Sequence, residues 1–276
     1  MKLKLFISTC PNDTFMFDAI INKRIDTSGF EFETYFTDIE ELNSLALKGE
    51  SDITKISINA FSRVINSYDL LTSGAALGCG VGPLVISKRK LYPDEFPFAK
   101  FGIPGINTTA NLLFSLAYPN AQNKKVYLFS DIEDAILANE IDAGVIIHES
   151  RFTYQNKGLK MIVDLGDYWE KKTHLPIPLG GIAIRKDLTA PIKTKINSLV
   201  KRSIEYAFEN PKESKDFVKK YARETDDEVI KKHIELYVNK HSLNMGEEGK
   251  NSIIELLKRS SDIGLTTVVS TDLFVE

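Results

Sequence analysis

Two segments rich in glycine and proline divide this chain of 276 residues and constrain its fold more than any other feature. The first runs from Gly74 to Pro83 and the second from Pro176 to Gly181. Between them, short apolar runs alternate with helical patterns, as they do in an α/β unit. We therefore predict two lobes, one formed by residues 1–88 and 178–276 and the other by the inserted residues 89–177. Two crossing segments would then leave a cleft between the lobes that can close over a ligand.

The order of the apolar patterns predicts the architecture within each lobe. Leu3, Leu5 and Ile7 alternate with polar residues and indicate a first strand. Helical spacing follows from Phe15 to Ile20, and strand and helix patterns continue to alternate after it. This order favours an α/β fold in which each lobe is a mainly parallel sheet flanked by helices. Beyond Asp187 the pattern is almost wholly helical.

Composition and charge exclude several classes of protein. The chain has 35 Lys and Arg against 38 Asp and Glu, so it lacks the basic surplus of a dedicated nucleic-acid binder. Its apolar runs are far shorter than the ~20 residues of a membrane span, and the run before Cys10 is too short for a secretory signal. Two cysteines are too few for a disulfide framework, and we expect a cytoplasmic protein without membrane insertion.

Standard cofactor and metal motifs are missing from the sequence. It contains no GxxxxGKS/T phosphate loop, no GxGxxG after a strand, no HExxH and no GxSxG. Cys10 and Cys79 are distant, and no pair of histidines has the spacing of zinc ligands. We therefore expect neither a metal nor a cofactor.

Polar residues follow the strand patterns at four places, two in each predicted lobe. Ligands of α/β sheets bind at the carboxyl ends of parallel strands, so these residues would face one cleft. The candidates are Ser8, Cys10 and Asn12; Lys55 and Ser57; Thr108, Thr109 and Ala110; and His148. The imidazole of His148 could act as a general base near neutral pH. The hydroxyls and free backbone N–H groups around Thr109 could hold a carboxylate or a phosphate.

Each candidate also has a plain structural alternative. His148 could be a hydrogen-bonded residue at a strand end, and Lys55 could be solvated. The threonines could be simple helix caps, and Ser8–Thr14 could be a tight capped turn. His233 and His241 lie among charged helical residues, so we predict them on the surface. Position alone leaves the role of each candidate open.

Five short motifs stand in order along the chain. They are STCPNDTF from Ser8, DITKIS from Asp52, GVGPL from Gly80, HESRFTY from His148 and LPIPLGG from Leu175. Together they resemble the 1,4-dihydroxy-6-naphthoate synthases of the futalosine route to menaquinone. The resemblance implies a two-lobed fold like that of the type II periplasmic binding proteins. It also implies a carbon–carbon lyase that converts cyclic dehypoxanthine futalosine to 1,4-dihydroxy-6-naphthoate without a redox cofactor.

The resemblance assigns roles to matching positions. It implies that His148 is the proton acceptor. One substrate-binding segment would be Lys55, Ile56 and Ser57, and the other would be Thr109 with Ala110. We expect the substrate to be a small carboxylate that lies against Thr109 and the helix start.

Two departures and two alternatives accompany this interpretation. Thr9 stands where the family usually has proline, and His174 stands where glycine is common. The alternatives are a solute-binding receptor without catalysis and the chorismate dehydratase that shares the fold and pathway. The CPNDT and HESRFTY motifs favour the naphthoate synthase. The sequence leaves the oligomeric state open, and also whether Cys10 touches the substrate.

Overall fold

A computed structural model describes residues 1–223, 226–265 and 272–275. The strands are β1 (Lys2–Ser8), β2 (Glu31–Thr37), β3 (Ile53–Ser57), β4 (Tyr68–Leu70), β5 (Ala76–Gly78), β6 (Leu84–Ser87), β7 (Phe101–Ile103), β8 (Lys124–Val126), β9 (Ala143–Ile146), β10 (Lys160–Asp164) and β11 (Ile177–Arg185). The helices are α1 (Pro11–Ile21), α2 (Ile39–Leu47), α3 (Ile58–Val64), α4 (Thr109–Ala117), α5 (Ile132–Leu137), α6 (Ser150–Thr153), α7 (Leu165–Thr173), α8 (Ala190–Glu209), α9 (Lys215–Tyr221), α10 (Asp227–Tyr237), α11 (Lys240–Leu243) and α12 (Gly246–Asp262).

The first sheet is built from both predicted segments of the first lobe. Its strand order is β2-β1-β3-β11-β4, and β5 pairs with β11 beside this path. Within β1, Leu3, Leu5 and Ile7 are buried in a core shared with α1 and α8, while Lys2 and Lys4 are exposed. The alternation in the sequence therefore predicted both this strand and its buried face correctly.

The second sheet has the strand order β10-β6-β9-β7-β8. The expected α/β fold is confirmed; among the described strands, all but one in each sheet run in the same direction, so both sheets are mixed. In the first sheet β11 runs antiparallel to β3, β4 and β5, and in the second β6 runs antiparallel to β9 and β10. Both β6 and β11 begin beside the cleft and lead the chain away from it, whereas β1, β3 and β9 end there.

The chain changes sheets earlier than the predicted boundary at residue 88. β5 ends at Gly78 in the first sheet, and β6 begins at Leu84 in the second. Strand β6 therefore belongs with the inserted segment instead of the first lobe. The chain returns to the first sheet with β11, which begins at Ile177. Residues 224–225, 266–271 and 276 of the predicted first lobe lie outside the described residues.

The helices after β11 pack against elements of both lobes. α8, α9 and α10 contact α1, and α12 contacts α3, β11 and α4. In the described part of the chain, no helix combines the length and apolarity needed to cross a bilayer.

Candidate active site between the two sheets

The strand ends of both sheets face one cavity of about 640 Å³, counting the part that is open to solvent. Most of the predicted site residues line it, namely Ser8, Asn12, Lys55, Ser57, Thr108, Thr109, Ala110 and His148. Ile56 does not, because its side chain is buried in the apolar core. Cys10 is buried beside His148 and is likewise absent from the lining. The structure thus brings the four predicted groups together, while their contact with a substrate remains a prediction.

Asp13 joins the residues of the first lobe into one hydrogen-bonded network. The Nζ atom of Lys55 lies 2.8 Å from its Oδ1. Ser8 donates its hydroxyl to Oδ2 at 2.5 Å, and Asn12 donates Nδ2 to Oδ1 at 2.9 Å. Burying a charge is costly unless it is paired and hydrogen-bonded. The carboxylate of Asp13 has both kinds of partner, and the ammonium of Lys55 is compensated by the ion pair. Lys55 is therefore a buried ion-pair partner and not the solvated side chain of the structural alternative.

The start of α1 explains why Asp13 was not identified from the sequence as a site residue. Asn12 or Asp13 is a typical helix cap, but Cys10 occupies the cap position and Pro11 begins the helix. Neither side chain is used for capping, so both remain available to the cavity. The signal in the sequence was a pair of short polar residues, Asn12 and Asp13, in the first turn of the helix that follows the strand ending at Ser8.

His148 follows β9 in a left-handed backbone conformation, with φ of 58°. The edge of Phe129 packs against its ring, with the centroids 4.9 Å apart. Loss of hydration lowers the pKa of His148 from 6.5 to about 4, although the negative charge of Asp13 acts in the opposite direction. The ring is therefore neutral at neutral pH, which is the form that a general base requires.

The thiol of Cys10 lies beside this imidazole. Its Sγ is 3.5 Å from Nδ1 of His148. Burial raises the pKa of Cys10 well above 9.0, and the charges of Glu149 and Asp13 raise it further. The sulfur is accordingly a neutral thiol and a poor nucleophile. Among the described residues, no group of three or more His, Cys, Asp or Glu side chains is arranged to hold a metal ion.

The amino end of α4 offers backbone donors to the cavity. Thr108 caps the helix, and its hydroxyl donates to the carbonyl of Gly105 at 2.8 Å. The hydroxyl of Thr109 donates to the carbonyl of Leu179 at 2.6 Å. Because both hydroxyl protons are used within the protein, an anion here would be held by the N–H groups of Thr109 and Ala110. These first N–H groups of a helix have no acceptor within it and lie at its positive end.

His233 is the main residue of the site that sequence reasoning placed wrongly. It was predicted on the surface, but it is completely buried on α10, with its ring 6.0 Å from that of His148. His241 is also buried, on α11, where its Nδ1 lies 3.4 Å from the carbonyl of Met245. The signal for His233 was its spacing: Ile230, His233 and Tyr237 form the buried stripe of α10.

Contacts between the lobes close the cleft on two sides. On one side Glu40 accepts hydrogen bonds from the backbone N–H and the Nδ2 of Asn107, at 3.1 and 2.9 Å. On the other, Arg223 donates to the hydroxyl of Ser130 at 2.8 Å, and its guanidinium lies 5.3 Å from the ring centre of Phe129. The two lobes are thus held together around the cavity.

Comparison with known proteins adds independent evidence. A family model described as menaquinone biosynthesis matches residues 3–262. The 1,4-dihydroxy-6-naphthoate synthase of Thermus thermophilus is 41% identical over 273 residues, which cover 99% of this chain and 99% of that protein. The protein of the same name from Streptomyces coelicolor is 38% identical over 98% of this chain and 96% of its own.

The fold also matches solved structures. A Candida albicans protein with the generic periplasmic binding protein fold aligns with a TM-score of 0.68 and 15% identity, over 99% of each chain. At that identity the likeness concerns the fold alone, and it confirms the expected fold class. The family model and the two relatives show more than the fold. By these matches, this chain belongs to the menaquinone biosynthesis family.

Proposed function

We propose that this chain is a carbon–carbon lyase that converts cyclic dehypoxanthine futalosine to 1,4-dihydroxy-6-naphthoate in the cytoplasm, with His148 as general base. The observation that carries the proposal is a neutral imidazole in the same interlobe cavity as the free amino end of α4. The two curated relatives bear the name of this activity.

The substrate carboxylate would bind at the start of α4. The N–H groups of Thr109 and Ala110 are suited to an anion, since the helix dipole adds to their hydrogen bonds. The charge of Lys55 is compensated by Asp13 at 2.8 Å, so this ion pair contributes little net attraction. We therefore assign the recognition of the carboxylate mainly to the helix end, and recognition of other polar groups to Lys55 and Ser57.

His148 would abstract a proton from the bound substrate and so start the fragmentation. The electron pair left behind would form a double bond to the carbon that departs, so that the adjacent carbon–carbon bond breaks. The electrons of that bond would pass into the ring system that becomes the aromatic naphthoate, and the other fragment would leave as the second product. The negative charge of Asp13 would favour the imidazolium that forms, whereas the positive charge of Lys55 would oppose it. Aromatisation supplies much of the driving force, so one base in a cleft with little water could suffice.

Incubation of the purified protein with cyclic dehypoxanthine futalosine, without added metal or nucleotide, tests this proposal. We expect 1,4-dihydroxy-6-naphthoate to accumulate, as measured by chromatography and mass spectrometry. Binding of a small carboxylate without product formation would contradict it in favour of a solute-binding receptor. Turnover of chorismate instead would assign the chain to the sister dehydratase.

A further inference from the structure

His233 is completely buried next to the proposed base, yet the chemistry proposed above does not use it. Its ring lies 6.0 Å from that of His148, and the two planes differ by only 17°. The ring of Tyr237, one turn further along α10, packs against its other side at 4.7 Å. An imidazole without solvent exposure needs partners for its polar atoms, and those partners indicate what it does.

One nitrogen of His233 binds the network of the first lobe. Asn12 donates Nδ2 to Asp13, and this bond directs its Oδ1 towards Nε2 of His233, at 3.0 Å. An amide oxygen only accepts hydrogen bonds, so Nε2 carries the proton and donates it. His233 thereby fixes the orientation of Asn12, and through it one side of the Asp13–Lys55 pair.

The other nitrogen faces the loop that carries the base. Nδ1 of His233 lies 3.7 Å from Oε2 of Glu149, the residue that follows His148. Burial lowers the pKa of His233 well below 6.5, and the positive charge of Lys55 lowers it further, so the ring stays neutral. Nε2 of His233 therefore faces Asn12, which follows β1 of the first sheet, and Nδ1 faces Glu149, which follows β9 of the second sheet.

We propose that His233 is a positioning residue: it holds Asn12 and the Asp13–Lys55 pair in register with His148 when the cleft is closed. Since it has no exposed surface and does not line the cavity, it acts through Asn12 and not on the substrate. This inference rests on the proposed function for its chemical consequence, but the geometric role can be measured separately.

Three variants test the role. His233→Leu removes the donor, whereas His233→Gln places an amide nitrogen near the position of Nε2. His241→Gln is the matched control, because it changes another buried histidine that does not line the cavity. Misplacing a reacting group by about 1 Å can cost about 10²-fold in rate. We expect a kcat loss on that order in His233→Leu, recovery to within about tenfold in His233→Gln, and a wild-type kcat in His241→Gln.

The control measurements separate positioning from folding. Melting temperatures are recorded for all variants, and kcat is expressed per folded molecule. A purely structural role would lower stability in both His233 variants and leave kcat unchanged, which would overturn the proposal. If His233→Leu does not fold, His233→Asn replaces it, since the shorter amide cannot reach Asn12 and should show the same loss of kcat.

Binding of 2-naphthoate, measured by calorimetry, gives a readout independent of turnover. Weaker binding in His233→Leu that is restored in His233→Gln supports positioning, even if the wild type makes no product and the proposed function fails. Equal binding and equal kcat in the wild type and His233→Leu would overturn positioning and leave the proposed function intact.

Discussion

The depressed pKa of His148 has a direct kinetic consequence. Because only the neutral imidazole can accept a proton, kcat/KM should stay constant from pH 7 to about 5 and then fall about tenfold per pH unit below a pKa of about 4. A pH profile measured with short assays, to avoid acid unfolding, checks this. An acid limb near 6.5 would contradict it and show a well-hydrated ring.

The two thiols should differ strongly in reactivity. Cys79 is exposed, and partial burial with the charge of Glu170 raises its pKa above 9.0, whereas full burial and nearby carboxylates hold the pKa of Cys10 well above that value. We expect iodoacetamide at pH 7.5 to label Cys79 readily and Cys10 only after denaturation. Mass spectrometry of the wild type and Cys79→Ser measures both sites. Rapid labelling of Cys10 in the folded protein would show that the cleft opens widely.

The candidate site was only partly predictable from single residues. His148, Lys55 and Thr109 follow strand patterns, and the rule that ligands bind at strand ends locates them. Asp13 and His233 escaped because their sequence neighbours suggest ordinary roles, a helix cap and a charged surface helix. His233 meets Asn12 because α10 packs on α1. Asp13 meets Lys55 because α1 lies beside the end of β3. These contacts between distant segments are not encoded by a local pattern.

At the scale of elements, strand existence was easier to predict than strand direction. Apolar runs report burial, so they indicated the strands near Leu84 and Ile182 without showing that β6 and β11 run antiparallel to their neighbours.

The crossing segments are fixed by later parts of the chain. Arg151 donates to the carbonyl of Gly82 at 2.7 Å and pairs with Asp164 at 2.8 Å. The arginine of the HESRFTY motif therefore holds one crossover in place.

The end of α7 has a backbone conformation that suits the glycine expected from the resemblance at the position of His174. His174 is the C-cap of α7 and has a left-handed backbone with φ of 56°. Glycine adopts this conformation without the steric cost that a Cβ imposes. We expect His174→Gly to stabilise the fold by up to about 1 kcal/mol, or ~2–4 °C in melting temperature. Calorimetry measures the change in melting temperature. A clearly lower melting temperature in His174→Gly would contradict a steric cost at the left-handed backbone of His174.

The proposed reaction requires that the cleft between the two lobes be closed. Removing the carboxylate of Glu40 deletes the bonds to Asn107 and should favour an open form. Since hydrogen bonds to charged groups contribute about 1.5–3 kcal/mol, we expect Glu40→Ala to raise KM about tenfold or more, with a smaller change in kcat. X-ray scattering should show a larger radius of gyration.

Glu41→Ala is the matched control for this test. Glu41 accepts bonds from Tyr35 and Thr37 within its own lobe, so its loss should leave KM and scattering unchanged. Identical behaviour of Glu40→Ala and Glu41→Ala would contradict the closing role of Glu40.

The role of His148 as general base is tested by comparing His148→Ala with His174→Ala on cyclic dehypoxanthine futalosine. The turnover number kcat and the substrate Kd are measured for each variant. A general base contributes about 10²–10⁴-fold, so we expect a loss of that size in His148→Ala, with the substrate Kd changed only a few-fold. His174→Ala, which removes an exposed imidazole outside the cavity lining, should retain the wild-type kcat. If His148→Ala turns over within a few-fold of the wild type, His148 is not the base.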